Sequence, residues 1–229
     1  MITVRVEGFD QALAKVSGLG KQVKFATAVA LTRTAKAVKD AVPAAMEREL
    51  DRPTPFSKSG LYIQAARPER LQAVVGFMDR QAKYMAFQIE GGTRQAGPHG
   101  IKLPGNIQLN TFGNIPKGVI AQLKAAAQSG ELSKTIARRL GTGNRRKGAA
   151  PIQLFFGRPA GSRWSKAPIG IWRRVPGNPG KLIPVVVFEQ RPVHYRARFN
   201  PEAAARRIVA RHWPGEFSAS LADALRTAR

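Results

Sequence analysis

The chain has 229 residues, 43% of them apolar, which is enough to bury a core and too apolar for disorder throughout. Its 38 Lys and Arg against 14 Asp and Glu give a formal net charge of +24 and a pI near 11.6, an imbalance whose natural counterpart is a polyanion: DNA, RNA, an anionic membrane surface or an acidic protein. The absence of cysteine excludes disulfide staples, Cys-ligated zinc, iron–sulfur clusters and thiol catalysis, and fits a reducing cytoplasm.

The opening MITVRVEGFD alternates apolar and polar residues, which predicts a short strand through Ile2, Val4 and Val6 ending at Gly8, and no secretory signal. Phe9 to Leu19 reads as a brief helix. From Lys21 to Leu50, Val38, Val42, Met46 and Leu50 recur every fourth position and continue a face begun by Phe25, Ala28 and Leu31, so a long amphipathic helix is expected. Pro43 should kink it, or divide it into two pieces meeting near Ala41. Asp51-Arg-Pro-Thr-Pro55 ends the helix, because residues before proline disfavour the helical region.

Leu61 to Ala66 and Leu71 to Met78 are β-rich and flank Arg67-Pro-Glu-Arg70, the pattern of a hairpin or of two neighbouring strands. Gln81 to Glu90 reads as a short helix with a strand as the alternative. Lys117 to Leu140 looks helical in two pieces broken at Ser129-Gly130, and Gly141 to Gly148 looks like a mobile basic loop. Leu154 to Phe156, Gly170 to Val175 and Leu182 to Phe188 restore the strand pattern, so the sheet is expected to resume after an insertion. A membrane span needs about 18 apolar residues in a row; the tightest cluster here, Leu182 to Phe188, is interrupted by Pro184. Asn200-Pro201 offers an N-cap with proline at the first helical position, opening a helix that Pro214-Gly215 should interrupt before Phe217, Leu221 and Leu225.

The sum is an α+β fold: a long N-terminal helix and a C-terminal helix packed on an antiparallel sheet. One domain is expected over residues 1–90 and 151–229, with residues 91–150 as a basic insertion of helical pieces and a flexible loop.

Residue types that carry chemistry are scarce. His99, His194 and His212 share no ligand spacing, so solvated or satisfied imidazoles are the simpler reading. Glu47 and Asp51 share a helix face with Glu49 turned away, and Arg48 and Arg52 among them favour a surface ion-pair face over a nuclease site. Glu90 beside Gly91-Gly92 reads as a turn anchor. No phosphate-loop or dinucleotide glycine spacing occurs, and Ser57, Ser59 and Ser162 lack a nucleophile elbow. No catalytic residue, cofactor or metal is expected on this reading; an enzyme would need a carboxylate or histidine cluster assembled from distant segments, such as Glu90, His194 and an Asp.

The basic middle is what asks for a function. Between Gly91 and Phe188 a single acid, Glu131, stands against 16 Lys and Arg. The candidate DNA- or partner-facing residues are Arg138, Arg139, Arg145, Arg146, Lys147, Arg158, Arg163, Arg173 and Arg174, because guanidinium forks match phosphate oxygens. Phe155, Phe156, Trp164 and Trp172 are interleaved with them, which suits single-strand stacking, although aromatics within strands are more often core. Direct DNA contact and a solvated or subunit-binding basic loop stand level on this reading.

The order of segments also resembles a known family. Phe25-Ala-Thr-Ala-Val-Ala-Leu-Thr-Arg-Thr-Ala35, then Asp51-Arg-Pro-Thr-Pro55, then KYMAFQIEGG ending at Gly92, then Pro192-Val-His-Tyr195 before the last helix, is similar to the minor tail protein Z-like, tail-completion (neck) proteins of long-tailed bacteriophages. The likeness covers most of the chain in short degenerate pieces, and the basic segment is its least family-like part. It implies an α+β structural protein of the virion neck or upper tail, made in the host cytoplasm, that completes the tail for head–tail joining. It implies a homo-oligomeric ring, sixfold to match the tail, with the connector, tail terminator or tail tube as neighbours, genomic double-stranded DNA in the channel as a further contact, and no membrane partner. The alternative function is a free non-sequence-specific nucleic-acid-binding protein, which lacks support from any helix-turn-helix, RNP or zinc-finger signature.

Overall fold

The computed structural model describes residues 2–5, 20–141, 152–160 and 166–227, and of residues 2–5 the backbone alone. The expected helix from Phe9 to Leu19, the strand end from Val6 to Gly8 and most of the loop from Gly141 to Gly148 lie outside the described residues. In chain order the first elements are β1 (Ile2–Arg5), α1 (Gly20–Glu49), α2 (Pro55–Lys58), β2 (Leu61–Gln64), β3 (Gln72–Phe77), α3 (Asp79–Ile89), β4 (Gly92–Arg94) and β5 (Ile101–Pro104). They are followed by α4 (Val119–Ser129), α5 (Lys134–Arg139), β6 (Leu154–Gly157), β7 (Gly170–Val175), β8 (Asn178–Glu189), β9 (Val193–Tyr195) and α6 (Pro201–Thr227). The class is α+β, with a long early helix, a long C-terminal helix and antiparallel sheets. Among the described residues no helix is long and apolar enough to cross a membrane.

The chain forms two compact units: Met1–Gly92 with Tyr195–Arg229, and Thr93–His194. In the first, α1 packs along α6, with small residues on both: Ala26, Ala30, Ala35 and Ala45 on α1, Ala204, Ala205, Ser220 and Ala224 on α6, all buried. Small side chains let two helix backbones approach closely and bury their apolar faces without voids. Leu31, Val38, Val42 and Met46 continue this face onto Leu61, Ala73, Val75, Met85 and Phe199. The sheet beneath has the order β1-β3-β2, antiparallel throughout, with Val75 opposite both Ile2 and Ile63. β2 and β3 form the expected hairpin, closed by a bridge between Arg67 and Arg70 and pinned to α1 where Ala66 N donates to Thr32 Oγ1 at 3.1 Å.

Three helical expectations need correction. Phe25 is 55% exposed: it lies six residues before Leu31, about 240° round the helix, so it leaves the stripe. Pro43 does not divide α1, which runs unbroken through it; Val42, Ala45 and Met46 are buried around it, and their burial outweighs the single backbone bond that proline removes. Pro214 likewise does not interrupt α6. Pro214 and Ala210, whose carbonyl loses its partner, are both exposed, so water can serve that oxygen. Ser220 and Ala224 are the buried positions here, while Leu225 is exposed. The start of α6 is as expected, with Ala203 N donating to Asn200 Oδ1 at 3.0 Å. The segment read as helix or strand is the helix α3.

The second unit changes the domain picture. β6, β7 and β8 do not rejoin the first sheet; with β5 they make a separate antiparallel sheet in the order β5-β8-β7-β6. Val119, Leu123 and Ala126 on α4, and Ile136 on α5, close over Ile171, Val185 and Val186 as a second core. The compact segment therefore runs to His194 rather than ending at residue 150. Alternation of apolar residues identifies a strand but is the same whichever partner it pairs with, so the mistake lay in the pairing and not in the strands. Gly130, at φ 76°, ends α4 where the break was expected. Pro184 sits in the central strand β8 opposite Trp172, and the register slips between Ile171 and Trp172, a bulge that accommodates the missing donor. The chain enters and leaves this unit through the β4–β9 ribbon.

Candidate functional site

Three of the nine basic candidates come together in the second unit. α5 carries Arg138 and Arg139 in its last turn, and β7 contributes Arg173, at a cleft of about 1200 Å³ whose remaining wall is the loop from Gly105 to Thr111 with Pro116. The loop is held against β8, where Gly105 N and Asn106 N donate to Val185 O and Pro184 O at 3.0 and 2.8 Å. A Cβ on Gly105 would overlap the Pro184 carbonyl oxygen, so this approach requires glycine. Asn110 Oδ1 accepts from Phe112 N at 3.0 Å and Asn114 N at 2.9 Å and turns the chain back.

The arginines divide by role. Arg173 Nη1 donates to Leu140 O at 3.0 Å and Nη2 to Asn106 Oδ1 at 3.2 Å, joining the end of α5 to the loop. Gln108 N donates to Arg139 O at 2.8 Å, while Arg139 Nη1 reaches Gln108 O only at 3.5 Å. Arg139 Nε is buried without a hydrogen-bond partner among the described residues. Arg138 is exposed and makes no ion pair there; its carbonyl accepts from Gly141 N. Among the described residues no carboxylate lines the cleft.

The other candidates do not join them. Successive strand residues point to opposite faces, so Arg174 leaves the cleft side and lies 5.2 Å over the Phe155 ring. Arg158 is exposed just beyond β6. Arg145, Arg146, Lys147 and Arg163, with Trp164, lie outside the described residues. Of the aromatics, Trp172 is buried in the fold, and Phe156, 48% exposed, is covered by Lys124 Nζ at 4.4 Å. The sequence reading missed the loop's part: Gly105, Asn106 and Asn110 build a wall, and the turn-forming Asn110 was the signal available for it.

Several carboxylates are engaged elsewhere. Glu47 pairs with Lys58, Glu49 Oε2 accepts from Asn200 N at 3.0 Å, and the Arg52 guanidinium on Asp51 holds that carboxyl below its usual range. Arg191, hydrogen-bonded to Glu189 through side chain and backbone, pulls its pKa down to about 2. His99, His212 and Glu90 are exposed, and His194, also exposed, lies with Nδ1 3.3 Å from Thr93 Oγ1. Among the described residues no three His, Asp or Glu gather closely enough to hold a metal ion.

Fold and site define a two-unit α+β protein whose distinguishing feature is a basic cleft walled by arginine and amide groups. No family model, curated protein or solved structure matches the chain.

Proposed function

We propose that the chain is a structural protein of a long-tailed phage, one subunit of a neck or upper-tail ring that completes the tail for head joining and turns its second unit toward a polyanion. The placement rests on the family resemblance of the ordered segments. The observation that carries the polyanion part is charge distribution: Thr93–His194 holds 17 Lys and Arg against two carboxylates, Glu131 and Glu189, and so accounts for +15 of the net +24. Glu189 is held by Arg191, and no other Lys or Arg among the unit's described residues has an acidic partner.

A ring around a DNA channel needs many equal positive patches of modest strength, since each copy must accept any stretch of backbone and sequence readout would impede passage. Symmetry then multiplies a weak contact. Imaging of purified particles at a resolution that places Arg138 and Arg173 tests the proposal. A closed ring at the neck with the second unit toward the channel supports it. A ring with that unit buried between subunits retains the placement and removes the polyanion role. Absence of the chain from particles overturns the proposal in favour of a free nucleic-acid-binding protein, for which an isolated monomer should bind DNA tightly with a steep salt dependence.

A further inference from the structure

We infer that the cleft between the end of α5, β7 and the loop from Gly105 to Thr111 is a phosphate-binding site, able to take successive phosphate groups of a nucleic-acid backbone or of a free polyphosphate. The inference does not depend on where the chain resides, because it rests on the cleft alone.

Hydrogen-bond supply points this way first. The carbonyl oxygens at the end of α5 already have donors: Arg138 O from Gly141 N, Arg139 O from Gln108 N, and Leu140 O from Arg173. Donors are left in surplus. The exposed Arg138 guanidinium has no acidic partner among the described residues, and Arg139 combines one bond at 3.5 Å with a buried Nε that has none. A buried donor left unmade is unfavourable, so an acceptor that let the Arg139 fork reorient would bind with that strain relieved. Charge points the same way: among the described residues three guanidinium groups and no carboxylate line the cleft, with Arg173 tied to Leu140 O and Asn106 Oδ1 and the other two, Arg138 and Arg139, left to meet an anion. Guanidinium forks match the paired oxygens of phosphate.

Size selects the kind of anion. At about 1200 Å³ the cleft exceeds the range of roughly 300–1000 Å³ usual for compact small-molecule sites, which suits a chain of phosphates better than a single carboxylate. Its amide side chains, Asn106 and Gln108, supply neutral hydrogen bonds beside the charges without competing negative groups.

The test uses the full chain and two probes, inorganic pyrophosphate by calorimetric titration and a short labelled DNA duplex by anisotropy over a series of salt concentrations. Arg138→Ala should weaken pyrophosphate about tenfold, the worth of one charge-assisted bond, while Arg158→Ala, outside the cleft, should leave it unchanged. If pyrophosphate displaces the duplex, and Arg138→Ala lowers the salt slope of duplex binding by about one, the site serves nucleic-acid backbone. If pyrophosphate binds in the cleft and the duplex does not compete, the site serves free polyphosphate. Binding of neither probe overturns the inference, as does an equal loss from Arg138→Ala and Arg158→Ala, which would mean a diffuse field without a site. Arg138 is exposed, so its variant should unfold at the wild-type temperature; Arg139→Gln, which removes the second charge, should also weaken pyrophosphate and gives an independent second reading.

Discussion

Arg173 stood in the sequence as one more phosphate-facing cation, whereas its two bonds make it the clip of the cleft, and this can be tested directly. Arg173→Ala removes the donors to Leu140 O at 3.0 Å and Asn106 Oδ1 at 3.2 Å. A hydrogen bond from a charged group contributes about 1.5–3 kcal/mol; discounting the pair for partial exposure leaves a net loss of about 2 kcal/mol. Because the chain has two units, a single global unfolding energy is the wrong quantity. Amide exchange is the right one. Gln108 N and Gly141 N, bonded to Arg139 O and Arg138 O, report opening of the loop against α5. A loss of about 2 kcal/mol should speed their exchange roughly 30-fold, with amides of Val38 and Met46 in the first unit unchanged. Arg173→Lys, which keeps the charge and loses the fork, should fall between. Unaltered exchange at Gln108 and Gly141 in the alanine variant would refute the clip.

Thr34 is fully buried and its Oγ1 has no hydrogen-bond partner among the described residues; Thr34→Val should stabilise the first unit by about 1 kcal/mol, since an unmet buried hydroxyl costs about 1–3 kcal/mol, seen as slower amide exchange in α1, and faster exchange there would contradict the reading. Leu123→Ala, at a site with no exposure, should cost the second unit about 3 kcal/mol by cavity formation, seen as faster exchange in α4 and β7 while α1 stays protected. Asn200→Ala removes the cap on Ala203 N and should lower first-unit stability by about 1 kcal/mol, checked by faster amide exchange at the start of α6. Glu189 has a folded pKa of about 2 against an ordinary 4.5. Its depressed value means its contribution is complete above pH 4.5 and lost as pH falls through about 2; carboxyl NMR should show that titration, and Arg191→Gln should return it towards 4.5.

Local order was readable in the residues because local order has local causes. The apolar stripe from Ala28 to Met46 specifies α1, Asn200-Pro201 opens α6, Gly130 ends α4, and the Arg67 to Arg70 turn makes a hairpin, each through interactions within a few positions. The scarcity of histidines and acids and the charge concentrated after Gly91 were equally plain. Tertiary structure alone decided which strands share a sheet, since alternation names no partner, and it therefore decided that Thr93–His194 builds a core of its own. It decided that α1 and α6 pass through prolines, where packing on the buried side outweighs one missing bond. It also divided arginines that look identical in sequence: Arg173 and Arg174 are neighbours on one strand, yet the pleat sends one to the end of α5 and the other over Phe155.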